Sequence, residues 1–177
     1  MSAKGTVENI RLGTCNVYFG EAGTEISLGF TIGGVEVEVT TETQATMVDQ
    51  FGDTVVKESI RGRNVVVRTQ LAESTIDNMV KVMPGSRLVG TVSKKAVVST
   101  GTGIDLLAIS KQLLLRPVEK DGDTPDKSED FLVYRASTPG GLNFAYSKDS
   151  ERVFNTEFKA YPNAEGELYE YGDPDAA

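Results

Sequence analysis

Histidine and tryptophan are absent from this 177-residue sequence, and cysteine occurs once, at Cys15. The missing histidine removes the commonest general base and the commonest transition-metal ligand, and with them the usual serine triad. A single cysteine excludes an intramolecular disulfide and a cysteine-based zinc site. Cys15 alternates with Val17 and Phe19, the setting of a small buried residue rather than a reactive thiol, and lone cysteine usage fits a reducing cytoplasm. Basic residues are also scarce. Lys and Arg total 18 against 26 Asp and Glu, a net charge of −8, which repels nucleic acid at long range and lacks the footprint of a nucleic-acid reader. No apolar run approaches membrane-spanning length, and residues 1–6 lack the apolar stretch of a signal peptide, so a soluble chain not exported by that route is expected.

With 39% hydrophobic and 25% charged residues, the chain has the composition of a globular protein and the length of a single domain, 1–177. The most informative run is Val35–Thr43. Alternate strand residues face opposite sides, so Val35, Val37 and Val39 share a face expected to enter a core, while Glu36, Glu38 and Glu42 share a face that must stay wet. Further strands are expected over 7–19, 25–32, 54–60 and 64–71, the last two joined as a hairpin at Gly62. Others are expected over 89–93, 96–100, 106–115, 131–136, 142–146, 153–161 and 168–171. One helix is expected: Ile76, Met79, Val80 and Met83 fall on one helical face, Ser74 and Asp77 resemble a capping box, and Pro84-Gly85 supplies the stop. The result is a mainly β fold with one helix, two packed antiparallel sheets and a flanking helix. Two connections stand out: 41–53, apolar at Met47, Val48 and Phe51, and 117–130, acidic and expected to be exposed. The first few residues and 174–177 are expected to fray.

Few motifs carry chemistry. Asp121-Gly122-Asp123 with Asp126 lacks the glycine and glutamate positions of a calcium loop and reads as a solvated acidic turn. Residues 99–103 are glycine-rich but lack the closing Lys-Ser/Thr of a phosphate loop, and Lys94-Lys95 is too short for a nucleic-acid patch. Glu36 and Glu38, roughly 7 Å apart on one strand face, are spaced like glycosidase carboxylates, yet nothing apolar beside them would split their pKa values. Phe154 and Phe158 share a face with Thr156 and Ala160, a core pattern. The apolar 41–53 connection either folds back on its own domain or buries Met47, Val48 and Phe51 against a neighbouring copy. No cofactor is expected.

Several segments together resemble the major tail tube proteins of long-tailed bacteriophages: Leu28–Val37, the Asp49-Gln50-Phe51-Gly52 connection, Gly62 with Val65–Val67 and Leu71–Thr75 leading into the helix, then Phe158–Tyr169 and Gly172-Asp173. The resemblance spans most of the chain, although none of these strings is diagnostic alone. It implies two packed sheets with a flanking helix, an architecture shared with type VI secretion tube proteins, six copies per ring, and rings stacked into a hollow tube that conducts DNA. It also implies a place in the virion after synthesis in the bacterial host cytoplasm. The partners implied are further copies, tail-tip or baseplate, terminator and tape-measure proteins, and DNA as passing cargo. On that reading Glu36, Glu38 and Glu42 become candidate lumen-facing residues, and Met47, Val48, Asp49 and Phe51 a candidate ring-stacking loop. The alternatives are a β-sandwich binding or adhesion module, including a head–tail joining or decoration protein, and a carboxylate-driven hydrolase.

Overall fold

The computed structural model describes residues 13–119, 122–123 and 126–176. Within them the chain is mainly β, with one helix and two antiparallel sheets, one large and one small. The strands are β1 (Cys15–Gly20), β2 (Ile26–Ser27), β3 (Thr31–Met47), β4 (Val55–Leu71), β5 (Ser86–Val89), β6 (Lys95–Val98), β7 (Lys111–Glu119), β8 (Gly122–Asp123), β9 (Phe131–Ser137), β10 (Phe154–Tyr161) and β11 (Tyr169–Tyr171), with helix α1 (Ile76–Val82) after β4. The large sheet runs β2-β1-β7-β9-β10-β4-β3, with β8 on β7 and β11 on β9. The small sheet is the β5–β6 hairpin, which packs on α1.

Period-two burial builds the core. Val65, Val67, Thr69 and Leu71 of β4 are buried, as are Phe154, Thr156 and Phe158 of β10 directly opposite the last three of these positions. The sheet curls until β1 returns against β3, so Val17 and Phe19 meet the far wall, and the Phe19 and Phe158 rings lie 5.0 Å apart. Leu113, Leu115 and Val133 complete this interior.

The helix closes the curl through a polar residue. Asn78 is buried and donates its side-chain amide to the carbonyls of Leu28 (2.9 Å) and Glu73 (3.0 Å), with Val82 buried one turn on. The expected face holds in part: Met79 packs against the core, but Ile76 is exposed, and the cap is Thr75, whose hydroxyl accepts the Asn78 N–H, not Ser74. The reason is that the helix also seats on carbonyls of the connecting segments, Leu28 and Glu73, which an amide satisfies and an aliphatic side chain cannot.

Several expected boundaries move. The 25–32 strand breaks at Gly29 (φ +83), where an added Cβ would lie 2.3 Å from the Glu73 carboxyl that accepts the Phe30 N–H. The 106–115 strand begins only at Lys111, because Asp105 and Ser110 tie the preceding residues into turns. Of 142–146 only a single bridge forms, Asn143 to Asn155. The start of the 7–19 strand, Asp121 and Pro125 of the acidic turn, and the two chain ends at 1–12 and 177 lie outside the described residues.

The acidic connection is not simply solvated. Asp130 is fully buried and accepts a two-pronged ion pair from Arg116, its Oδ2 lying 3.0 Å from Nε and 2.6 Å from Nη2. Its carbonyl also receives the Gly172 N–H, and Lys127 pairs with Asp175, holding that carboxyl below its ordinary value. Residues 174–176 are therefore tied down rather than frayed. Because Arg116 would be left facing a lost charge, Asp130→Ala should cost roughly 3–5 kcal/mol in denaturant unfolding; a loss below ~1 kcal/mol would refute this assignment.

On the same edge Tyr134 donates its hydroxyl to Glu170 at 2.6 Å, and that hydrogen bond, ahead of burial, pushes the phenol up to about 12. The neutral phenol then stabilises the fold fully below about pH 10, and the contribution fades as pH rises through about 12. Ultraviolet titration should show one late-ionising tyrosine that returns towards 10 in Glu170→Gln; an unchanged profile would contradict the assignment.

Candidate functional site

Strands β3 and β4 pair along their whole lengths, Thr31 against Leu71 through Met47 against Val55. Only half of this ladder is covered. β10 pairs with β4 at residues 66–71 and stops there. Beyond that point residues 36–47 and 49–61 are all exposed, so the ladder leaves the body as a two-stranded arm. The expected long connection over 41–53 is in fact strand up to Met47, and the expected hairpin turn at Gly62 is a bulge, where Glu42 faces Gly62 but Thr43 faces Ile60 and Arg61 is extra. The threonines of the run supply the β preference, and a glycine accommodates a bulge as readily as a turn.

The actual turn is short. Val48 precedes a single 3-10 turn, Asp49–Phe51, closed by Phe51 N–H to Val48 O at 3.0 Å. Met47, Val48, Asp49 and Phe51 are thus brought together at the arm's tip. Phe51 is 65% exposed and Met47 54%, with Val55 at 49% beside them, so this tip does not fold back on its own body.

The valine face is buried only at its start. Val35 packs against the core, but Val37 and Val39 are 37% and 41% exposed. Val67 and Val65 face them from β4 and are themselves buried, so the cover on this face gives out between the two strands.

The opposite face carries Glu36, Glu38 and Glu42 as expected, all exposed, yet it is not a bare carboxylate row. Pairing brings Arg68 level with Glu36 on one side and Glu157 on the other. Arg68 donates to Glu38 at 2.5 Å and to Glu157 at 3.2 Å, which raises its pKa, the Glu38 hydrogen bond contributing most. Glu42 accepts from Asn64 at 3.4 Å. Glu36 has no ion pair among the described residues. Glu36, Arg68 and Glu157, with Gln70 and Asn155, border an open groove of about 450 Å³. Sequence reading missed Arg68 because only the strand pairing places it there.

Chemically, the surface offers charge and apolar contact. Among the described residues no group of acidic or thiol side chains is arranged to hold a metal ion, and no helix is long and apolar enough to cross a membrane. No family model matches the chain, and no curated protein matches it at a significant level.

Since the arm buries almost nothing, replacing residues 43–61 by an Asn-Gly turn should leave thermal unfolding of the body cooperative and its midpoint within about 3 °C. A collapse of cooperativity would show that the arm belongs to the core.

Proposed function

We propose that this protein is a self-assembling structural component, whose copies close into hexameric rings that stack as the hollow tail tube of a long-tailed bacteriophage and pass DNA through the bore. The observation that carries the reading is the arm. A two-stranded ribbon is marginal in water, and this one exposes Val37, Val39, Met47, Phe51, Val55, Val56 and Ile60. Burying each such side chain is worth about 1.5–3 kcal/mol, so a partner that covers them gains far more than the ribbon has alone. Among the described residues the arm's edges are unpaired too, and open edges of this length invite strand addition. A second copy supplies matching edges and apolar surface at equal concentration.

In this arrangement the curled sheets lie side by side around the bore, with Glu36, Glu38 and Glu42 on its wall. Around Arg68 and Lys159 four carboxylates, counting Glu157, make this stretch of the face acidic and disfavour phosphate there, while Lys57 and Arg135 lie farther along the same face. The tip of Met47, Val48, Asp49 and Phe51 reaches the next ring. Tail-tip, terminator and tape-measure proteins would be the partners at the tube's ends and in its bore, and the site of action the virion. No catalytic role is assigned to any residue.

Electron micrographs of the concentrated protein should show rings or tubes, and image reconstruction should place Glu36 and Glu38 on the bore wall. Phe51→Ser should raise the concentration needed for assembly by about tenfold without lowering the melting temperature. A chain that stays monomeric at every concentration refutes assembly; glutamates on the tube's exterior refute the bore assignment.

A further inference from the structure

We infer that the arm tip of one copy seats on the opposite end of β3 in a second copy, at a receptor formed by Phe30 and Arg152. This rests on the self-assembly reading and adds to it the two surfaces that meet.

A strand rises about 3.3 Å per residue, so the 17 residues of β3 hold its ends roughly 50 Å apart. Tip and base therefore cannot meet within one chain. The base is defined by the row Thr31, Leu71 and Phe154 across β3, β4 and β10. Just beyond that row lie Phe30, the Ala72–Ser74 segment and Arg152. The Ala72 N–H donates to the Phe30 carbonyl at 2.8 Å, which anchors the backbone there, yet the Phe30 side chain is 77% exposed.

Arg152 donates to the Ser74 hydroxyl and carbonyl and lies 5.3 Å from the centre of the Tyr146 ring. Among the described residues no carboxylate pairs with it. At the tip, Asp49 and Asp53 flank Phe51 and have no cation partner among the described residues either. One end thus presents an aromatic ring between two carboxylates, and the other an aromatic ring at the same sheet end as a fixed guanidinium. The base also carries two carboxylates, Glu73 on the Phe30 N–H and Glu151 next to Arg152 in sequence, so the charge match is confined to the Arg152 guanidinium itself. Two different patches at opposite ends of one element make a head-to-tail contact, which repeats without limit along the strand direction instead of closing as a dimer.

The contact is tested by cross-linking. Phe30→Cys chains and Phe51→Cys chains are each diluted into an excess of unaltered protein, assembled together and oxidised. Native Cys15 is half-buried with its thiol pKa raised by burial, which keeps it out of the reaction. A disulfide joining the two introduced thiols, found only when both variants are present, is expected. Tubes that assemble but yield no such disulfide overturn the tip-to-base contact and leave self-assembly standing; failure of the unaltered chain to assemble overturns both. As a second readout, Asp49→Lys with Asp53→Lys should raise the assembly concentration about tenfold, and Arg152→Glu in the same chain should restore most of it. Absence of that rescue overturns the role of Arg152.

Discussion

The pairing of β3 with β4 governs both the interior and the exterior of this molecule. Along its inner half the ladder is one wall of a closed core, where Val67 and Leu71 meet Phe158 and Phe154 and every second side chain is removed from water. Along its outer half the same ladder continues past a bulge, and no strand among the described residues pairs alongside it. The change comes where β10 ends its pairing, near Val66. Bulges interrupt both halves, at Gly33-Gly34 near the base and at Arg61 in the arm, so backbone irregularity does not explain the change. What differs is whether a third strand is present, and the arm's stability depends on where that third layer comes from.

Electrostatics follow from the same pairing. A chain of net charge −8 must keep its carboxylates apart or offset them. On the wet face of the sheet Arg68 stands level with Glu36 and Glu157 and bonds Glu38, so the repulsion among these carboxylates is relieved. Each of these pairs is exposed and individually worth little. The Arg116–Asp130 pair is different in kind. It is buried, two-pronged, and fastened to the last residues of the chain through Gly172, so it fixes the edge of the sheet away from the arm.

The sequence made the buried half of the fold readable and the exposed half obscure. Val65, Val67 and Leu71, or Phe154 and Phe158, alternate because one side of each strand is sealed, and that contrast is the signal. Residues 41–47 alternate too, but between threonine, glutamate, glutamine and alanine, with neither side sealed; the period has no hydrophobic contrast to show it. Gly62 is equally suited to a turn and a bulge, and only the partner strand decides. Arg68 and Asn78 act through groups 30 to 50 positions away in sequence, Glu38 and the Leu28 carbonyl, which no local pattern encodes. The tip was legible for the opposite reason: Met47, Val48 and Phe51 stood out as apolar residues in a connection, and they are indeed gathered at one point.

Near the base of β3, Gly33 and Gly34 take φ values of +78 and +86, and the strand carries two more residues there than β4 does, between Ile32 opposite Gln70 and Val35 opposite Thr69. Side-chain-bearing residues seldom hold that conformation twice in succession. The free margin of β3 is thereby cut into two unequal lengths that are out of phase with each other. A strand laid alongside it, as in the proposed assembly, would zip regularly only from Val35 outward, and the double glycine would then act as an index mark for the alignment of that neighbour.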